Sequence, residues 1–151
     1  MRVSAKADYA VRAAVEIAAA YPDPIKRDEI AKTQRVPPKF LEAILTELRH
    51  ARLIQSQRGA EGGHKLARPA TEITVADIVR SVDGPLASVH GEAPEDLAYD
   101  GRAEPLQFVW VALRASIRSV LEGITLADLA ENHLPGRILD LTTDPEDWLS
   151  H

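Results

Sequence analysis

The 151-residue chain has no cysteine. That removes disulfides, thiolate zinc sites, thiol redox sensing and ordinary cysteine-held iron–sulfur clusters, because each needs the sulfur atom. No apolar run reaches membrane-spanning length, and the opening MRVSAKADYAV lacks the continuous apolar stretch of a secretory signal. No membrane partner is therefore expected, and the chain reads as cytoplasmic. Catalytic signatures are missing too: there is no glycine-rich phosphate loop, nucleophile elbow or HExxH. Without a convergent acid, base or nucleophile, the chain does not read as an enzyme. Basic charge is also in deficit, with 18 Lys+Arg against 23 Asp+Glu for a formal −5, which by itself argues against nucleic acid. At this length one full core plus an attached element can be buried, but hardly two large domains.

The charge is unevenly placed. Residues 1–84 carry +3 and residues 85–151 carry −8, and between Lys26 and Arg68 ten basic residues stand against five acidic ones. Positive charge thus gathers on one segment, with a solvated helical surface as the competing reading. In that segment runs KFLEAILTELRHARLIQSQRGAEGGHKL, from Lys39 to Leu66. Phe40, Leu41, Ile44, Leu45 and Leu48 recur at helical spacing and leave Lys39, Glu42, Ala43, Thr46, Glu47, Arg49 and His50 on the other face. Leu53 and Ile54 begin a strand. The tip Arg58-Gly59-Ala60-Glu61-Gly62-Gly63 permits the positive φ angles and close backbone approach of a tight β-ribbon. Such a ribbon is the wing of a winged helix-turn-helix. Upstream, Ser4 can cap a first helix to about Ala20, Arg27 to Thr33 reads as a second, and Pro37-Pro38 mark the start of the third. In a helix-turn-helix pair the N-terminal part of the second member enters the major groove, which puts Pro38, Lys39, Glu42 and Ala43 nearest the base edges.

Downstream, Thr74-Val75-Ala76-Asp77 is a capping box with Ile73 and Ile78 as its staple, opening a fourth helix to about Val82. Residues 87–104 read as a polar, acidic loop. Its His90, Glu92, Glu95, Asp96 and Asp100 could bind a hard cation, but a solvated acidic loop is the favoured reading. No metal is assigned, and neither His50 nor His133 has a ligand-spaced companion. Pro105 opens a long helix to about Glu122, on which Leu106, Trp110, Leu113, Ile117, Val120 and Ile124 step by four and three residues. This heptad-like seam suits a symmetric contact with a second copy. Phe108, Val109, Val111 and Ala112 are apolar on other sides, so the helix is expected to meet both its own domain and a partner chain. Thr125-Leu126-Ala127-Asp128 repeats the capping box before a short last helix, and the tail beyond Pro135 is acidic. The expected division is a DNA-binding domain at 1–84, an acidic loop at 85–104, the long helix and its successor at 105–134, and a tail at 135–151. The expected fold is mainly α with a small β-hairpin: a winged helix-turn-helix domain plus a long C-terminal dimerisation helix.

Five segments together carry a family resemblance: SAKADYAVRA, the Ile30-Ala31 of DEIA, VPPKFLEAILTELRHARLIQSQRGAEGGHKLAR, ITVADIVRSVDG and SIRSVLEGITLADL. In register, from about Met1 to Leu129, the chain resembles the Rrf2 family of bacterial winged helix-turn-helix repressors, as a cysteine-free member. The resemblance implies a homodimer whose long helix crosses its twin, with two recognition helices and wings on a palindromic operator in double-stranded DNA. It also implies that Glu42 lies on the base-reading surface and that Arg58 reaches the groove from the wing. The chemistry agrees, since a carboxylate can accept from cytosine N4 and an arginine fork suits guanine or a narrow minor groove. Lys39, Arg49 and Lys65 would lie near phosphate, with Arg2, Ser4 and Lys6 joining from the start of the first helix. Gly59, Gly62, Gly63 and His64 complete the DNA-binding set, His64 standing where an aromatic residue is usual in the family. For Glu42 and Glu47, a solvated face or a helix salt bridge competes with base reading. Cluster-binding relatives hold three cysteines in the loop before the dimer helix; this loop has none, so no cofactor is expected. Asp8, from whose position some relatives supply an oxygen ligand, reads instead as the partner of Arg12 four residues on. Any trigger would be something other than cysteine chemistry: a small molecule lodged between the dimer helix and the winged domain, with Tyr99, Phe108 and Trp110 as candidate lining and core packing as the competing role of Phe108 and Trp110, or a protein partner; constitutive binding is the third alternative. The rival to the regulator is a winged helix used only for protein–protein contact, and the basic residues Lys39, Arg58 and Lys65 stand against it.

Overall fold

Alanine lets the first helix serve as the hub. In the computed structural model, which describes residues 2–150, helix α1 (Ala5–Ala20) buries Ala7, Ala10, Ala13, Ala14 and Ile17. Side chains this small let α2 (Arg27–Gln34), α3 (Pro38–His50) and α4 (Val75–Asp83) close on one hub. Ser4 Oγ accepts from the Ala7 amide at 2.9 Å, satisfying one of the open donors at the start of α1. Arg35, in the left-handed region at φ 52°, ends α2 and turns the chain toward α3. Leu41, Ile44, Leu45 and Leu48 then face the hub. The wing is the antiparallel pair β1 (Ile54–Gln57) and β2 (Gly63–Leu66), with Ile54 opposite Leu66 and Gln57 opposite Gly63. Its base is pinned to the α1–α2 connection, where Ile25 and His64 exchange backbone hydrogen bonds of 2.9 and 2.8 Å.

Both expected capping boxes form. Thr74 Oγ1 accepts from the Asp77 amide at 3.1 Å while Asp77 Oδ2 accepts from the Thr74 amide at 2.9 Å, and Thr125 with Asp128 repeats this at 3.1 and 2.7 Å. The two boxes also lie side by side. Val75 donates to the Ile124 carbonyl at 2.9 Å and Leu126 to the Ile73 carbonyl at 2.8 Å. This bridge carries α6 (Leu126–Ala130) back onto α1, with Leu126 fully buried in the common core. Helix α6 thus completes the core of the winged domain, and α5 (Leu106–Leu121) is an excursion from it.

No residue of α5 is buried. Its first half is held to the preceding loop: Arg114 pairs with Glu95, Gln107 Nε2 donates to the Glu95 carbonyl at 2.9 Å, and Trp110 Nε1 donates to Tyr99 Oη at 3.0 Å. Its far end is held to α4, since Glu122 pairs with Arg80 and, at 3.0 Å, with Arg118. Two expectations change here. The seam residues Leu106, Trp110, Leu113, Ile117 and Val120 are half-buried within the single chain, and it is Phe108, Val109, Val111 and Ala112 that are exposed. Ile124 is not on the helix at all: α5 stops at Leu121, and Ile124, past Gly123, is only 8% exposed in the bridge to α4. Heptad spacing continues through Gly123, but the backbone leaves the helix there to reach Thr74. The tail forms a short α7 (Gly136–Asp140) and a turn at 145–148.

Candidate nucleic-acid interface

Helix α3 lies across the hub with its buried leucines inward, so Lys39, Glu42, Ala43, Arg49 and His50 face solvent. A shallow depression of about 520 Å³ follows this face, lined by Lys39, Glu42, Ala43, Thr46, Glu47 and His50. Phe40, expected among the core residues, is 53% exposed and meets the edge of Tyr9 with ring centroids 6.0 Å apart. One helix turn from the proline start, it overhangs the hub instead of entering it. Glu42 is 73% exposed, with Arg27 Nη1 at 4.0 Å.

The wing divides its glycines between two jobs. A Cβ at Gly63 would meet the Ile25 carbonyl at 2.5 Å, and one at Gly62 would collide with the Gln57 carbonyl. These two glycines are required by the fold of the wing itself. Gly59, at φ 101° with open space around it, shapes the tip and leaves Arg58 exposed beside it. His64, on β2, is half-buried. Its Nδ1 is 3.4 Å from Ser56 Oγ, and Arg49 Nη1 lies 3.5 Å from the same oxygen. Burial first, then the nearby charges of Arg49 and Arg27, hold its pKa below the ordinary histidine value.

The expected residues at the start of α1 separate. Arg2 is exposed, and Ser4 spends its acceptor on the helix cap. Lys6 turns inward, pairing with Glu47 Oε1 at 2.8 Å and donating to the Val82 carbonyl at 3.0 Å. It ties α1 to α3 and α4, and its charge is neutralised within the domain. Among the described residues, no ion pair engages Arg2, Lys39, Arg49, Arg58 or Lys65. Arg27 belongs to the same surface and was missed by sequence reasoning. Its contact with Glu42 spans fifteen positions, beyond any helical spacing rule, and only the turn that folds α3 back against α2 brings the two together. The candidate effector lining does not converge. Trp110 and Tyr99 hydrogen-bond to each other, while Phe108, on the opposite side of α5, is 73% exposed.

The Rrf2 family, described as an iron-dependent transcriptional regulator, matches residues 3–132. Rv1287 of Mycobacterium tuberculosis (strain ATCC 25618 / H37Rv) is 54% identical over 145 residues, 95% of this chain and 90% of that protein. The HTH-type transcriptional regulator CymR of Bacillus subtilis (strain 168) is 34% identical over 132 residues, 86% of this chain and 90% of its own. The solved structure of CymR (YrzC), the global cysteine regulator of B. subtilis, aligns with a TM-score of 0.73 at 33% identity, covering 87% of this chain and 98% of that one. T. potens IscR aligns with a TM-score of 0.72 at 30% identity, covering 100% and 93%.

The family description names iron, and the donors of this chain do not suit it. There is no thiolate, and among the described residues no three His, Asp or Glu side chains converge. Asp8 is paired with Arg12 at 2.9 Å and Glu95 with Arg114. Among the described residues no helix is long and apolar enough to cross a membrane.

Proposed function

The chain belongs to the Rrf2 family of transcriptional regulators, and from that premise we propose that it is a repressor acting as a homodimer on a palindromic operator, without an iron–sulfur cluster. The observation that carries this reading is the set of unpaired cations, Lys39, Arg49, Arg58 and Lys65, on α3 and the wing of a chain whose net charge is −5. Such cations on an acidic protein are displayed for a polyanion. Lys39, Glu42 and Ala43 enter the major groove from the start of α3, Arg58 reaches base edges or a narrow minor groove from the wing, and Arg2, Arg49 and Lys65 hold phosphates. Lys6 is left out of this set because Glu47 already occupies it.

Pairing is supported by α5, a helix with no buried residue and with Phe108 and Val109 exposed. A two-fold pair would present two copies of α3 about one turn of DNA apart, roughly 34 Å, which requires a palindromic site. The thiol-free sequence and the ion-paired Asp8 and Glu95 support a regulator that is released by a small molecule or protein effector, or acts constitutively, in preference to one released by metal. The test is a mobility shift on the protein's own promoter region at low and high salt, with and without chelator. Binding that weakens steeply with salt and ignores chelator is expected. Absent or salt-insensitive binding would favour a winged helix used for protein contact alone, and loss of binding with chelator would overturn the metal-free reading.

A further inference from the structure

Residues 136–150 lie beyond the stretch matched to the family, 3–132, yet they are built into the rest of the chain. Arg137 donates from Nη1 to the Ser119 carbonyl at 3.3 Å and from Nη2 to the Gly123 carbonyl at 3.1 Å. These carbonyls at the end of α5 have no onward helical partner, and a guanidinium there also opposes the negative end of the helix dipole. The tail is thereby fixed beside Ser119, which shares a helix face with Phe108, Ala112 and Ala115. Farther on, Trp148 Nε1 donates to the Thr142 carbonyl at 2.9 Å, closing the segment on itself without covering its apolar groups. Leu139, Leu141, Trp148 and Leu149 remain 50, 59, 73 and 59% exposed.

Area and continuity say what covers them. A stable two-fold interface takes about 800 Å² from each partner. Phe108, Val109 and Val111, which are 73, 54 and 36% exposed, offer only about 300 Å² at ordinary side-chain areas. The second half of the same face displays Ala115, Ser116 and Ser119 and adds little apolar surface. The four tail residues offer roughly 450 Å² more, and the two sets together reach the scale of a stable dimer. Where two copies of α5 cross antiparallel about a two-fold axis, the small second half of one faces the large first half of the other. Arg137 places the tail at that second half.

We propose that the C-terminal segment clasps the partner's α5, with Leu139, Leu141, Trp148 and Leu149 covering Phe108, Val109 and Val111 of the second copy. The clasp rests on the homodimer reading above. Asp140 and Asp147, interspersed with the apolar residues, stay in water at the rim of the contact.

Because the chain has no cysteine, single introduced thiols report this contact without background. Full-length Val109→Cys and Leu141→Cys proteins are purified separately, mixed, allowed to exchange subunits and treated with a short bis-maleimide. A mixed cross-linked dimer that needs both substitutions is expected. In sedimentation equilibrium, Leu141→Asp combined with Trp148→Asp is expected to weaken the dimer at least tenfold, and Trp148→Phe to leave it intact. Phe108→Asp is the reference for the α5 contact itself. If the wild type sediments as a monomer, the homodimer reading fails and the clasp with it. If Phe108→Asp gives monomers while the doubly substituted tail pairs like wild type and no mixed cross-link forms, the clasp is overturned and the α5 dimer stands.

Discussion

Replacing Arg58 by alanine takes one guanidinium from the tip of each wing and nothing from the fold. The side chain is exposed and makes no ion pair, and the neighbouring Gly59 has open space around it. The folding stability of the variant is therefore expected to stay within about 0.5 kcal/mol of wild type. Binding is another matter. An arginine that reads a base is worth about 1–3 kcal/mol, so the two wings of the proposed dimer lose about 2–6 kcal/mol, roughly thirtyfold to twenty-thousandfold in affinity. Salt dependence gives an independent number. Counting Arg2, Lys39, Arg49, Arg58 and Lys65 in each protomer, the dimer brings ten unpaired cations to DNA, and log K should fall against log salt with a slope of about −9. Losing two of them brings the slope to about −7. Arg58→Lys separates charge from shape: the slope stays near −9, while the preference for operator over scrambled DNA falls because the fork is gone. Fluorescence anisotropy on a promoter fragment and a scrambled fragment, from about 50 to 200 mM salt, measures all three quantities. An Arg58→Ala protein with unchanged affinity and slope would refute the wing assignment, and an equal loss on both fragments would reduce Arg58 to a phosphate contact.

Gly63→Ala drives a Cβ into the Ile25 carbonyl at a φ of 153°, so a loss of about 1–3 kcal/mol is expected; a melting temperature equal to wild type would show that the wing is not pinned there. Thr74→Ala and Thr125→Ala each remove one cap, worth about 1 kcal/mol. Because the two boxes are bridged through Val75 and Leu126, urea titration of the double variant should depart from additivity, and strict additivity would contradict the bridge. His64 is held below its ordinary value by burial and then by Arg49 and Arg27, so the free protein keeps it neutral near pH 7. Nearby phosphate favours the charged form, so the complex takes up a proton and affinity should rise as pH falls from about 7 to about 6. His64→Gln should flatten that profile, and a wild-type profile already flat would exclude phosphate at His64. Arg80→Ala frees the end of α5 from α4; it should leave affinity for a single half-site unchanged but relax discrimination between operators whose half-sites differ in spacing by one base pair, and unchanged discrimination would show that this pair does not set the geometry.

What could be read in the chain was whatever depends on local periodicity or chemistry. The spacing of Leu41, Ile44, Leu45 and Leu48 announced α3, and the glycines after Arg58 announced the wing. The two Thr-x-x-Asp boxes announced two helix starts. What escaped was decided across long separations. Nothing local to Lys6 says that Glu47 and the Val82 carbonyl will claim its charge, forty-one and seventy-six positions away. The heptad pattern of α5 gave its apolar faces but not which of them the chain itself would half-cover. Its extension to Ile124 failed because the Thr74–Thr125 bridge takes the backbone elsewhere. The effector lining failed for a simpler reason: Phe108 and Trp110 are two residues apart, and positions so spaced point away from each other on a helix.

These long-range contacts also say where regulation can act. Reader and α5 are linked through few joints: Lys6 ties α3 to α1 and α4, Arg80 ties α4 to the end of α5, and the Thr74–Thr125 bridge shortens the path between them. Exposed pairs of this kind contribute little to stability, so their value lies in fixing orientation. In the proposed dimer two copies of α3 would reach successive turns of DNA together, and a small change in how the two α5 helices cross would be carried to both reading heads. The loop at 94–99 touches the first half of α5 from the side, through Glu95 and Tyr99. That loop has no thiolate, and a ligand or protein that displaced Glu95 from Arg114 and thereby weakened operator binding would itself be bound more weakly, by the same factor, in the presence of operator DNA.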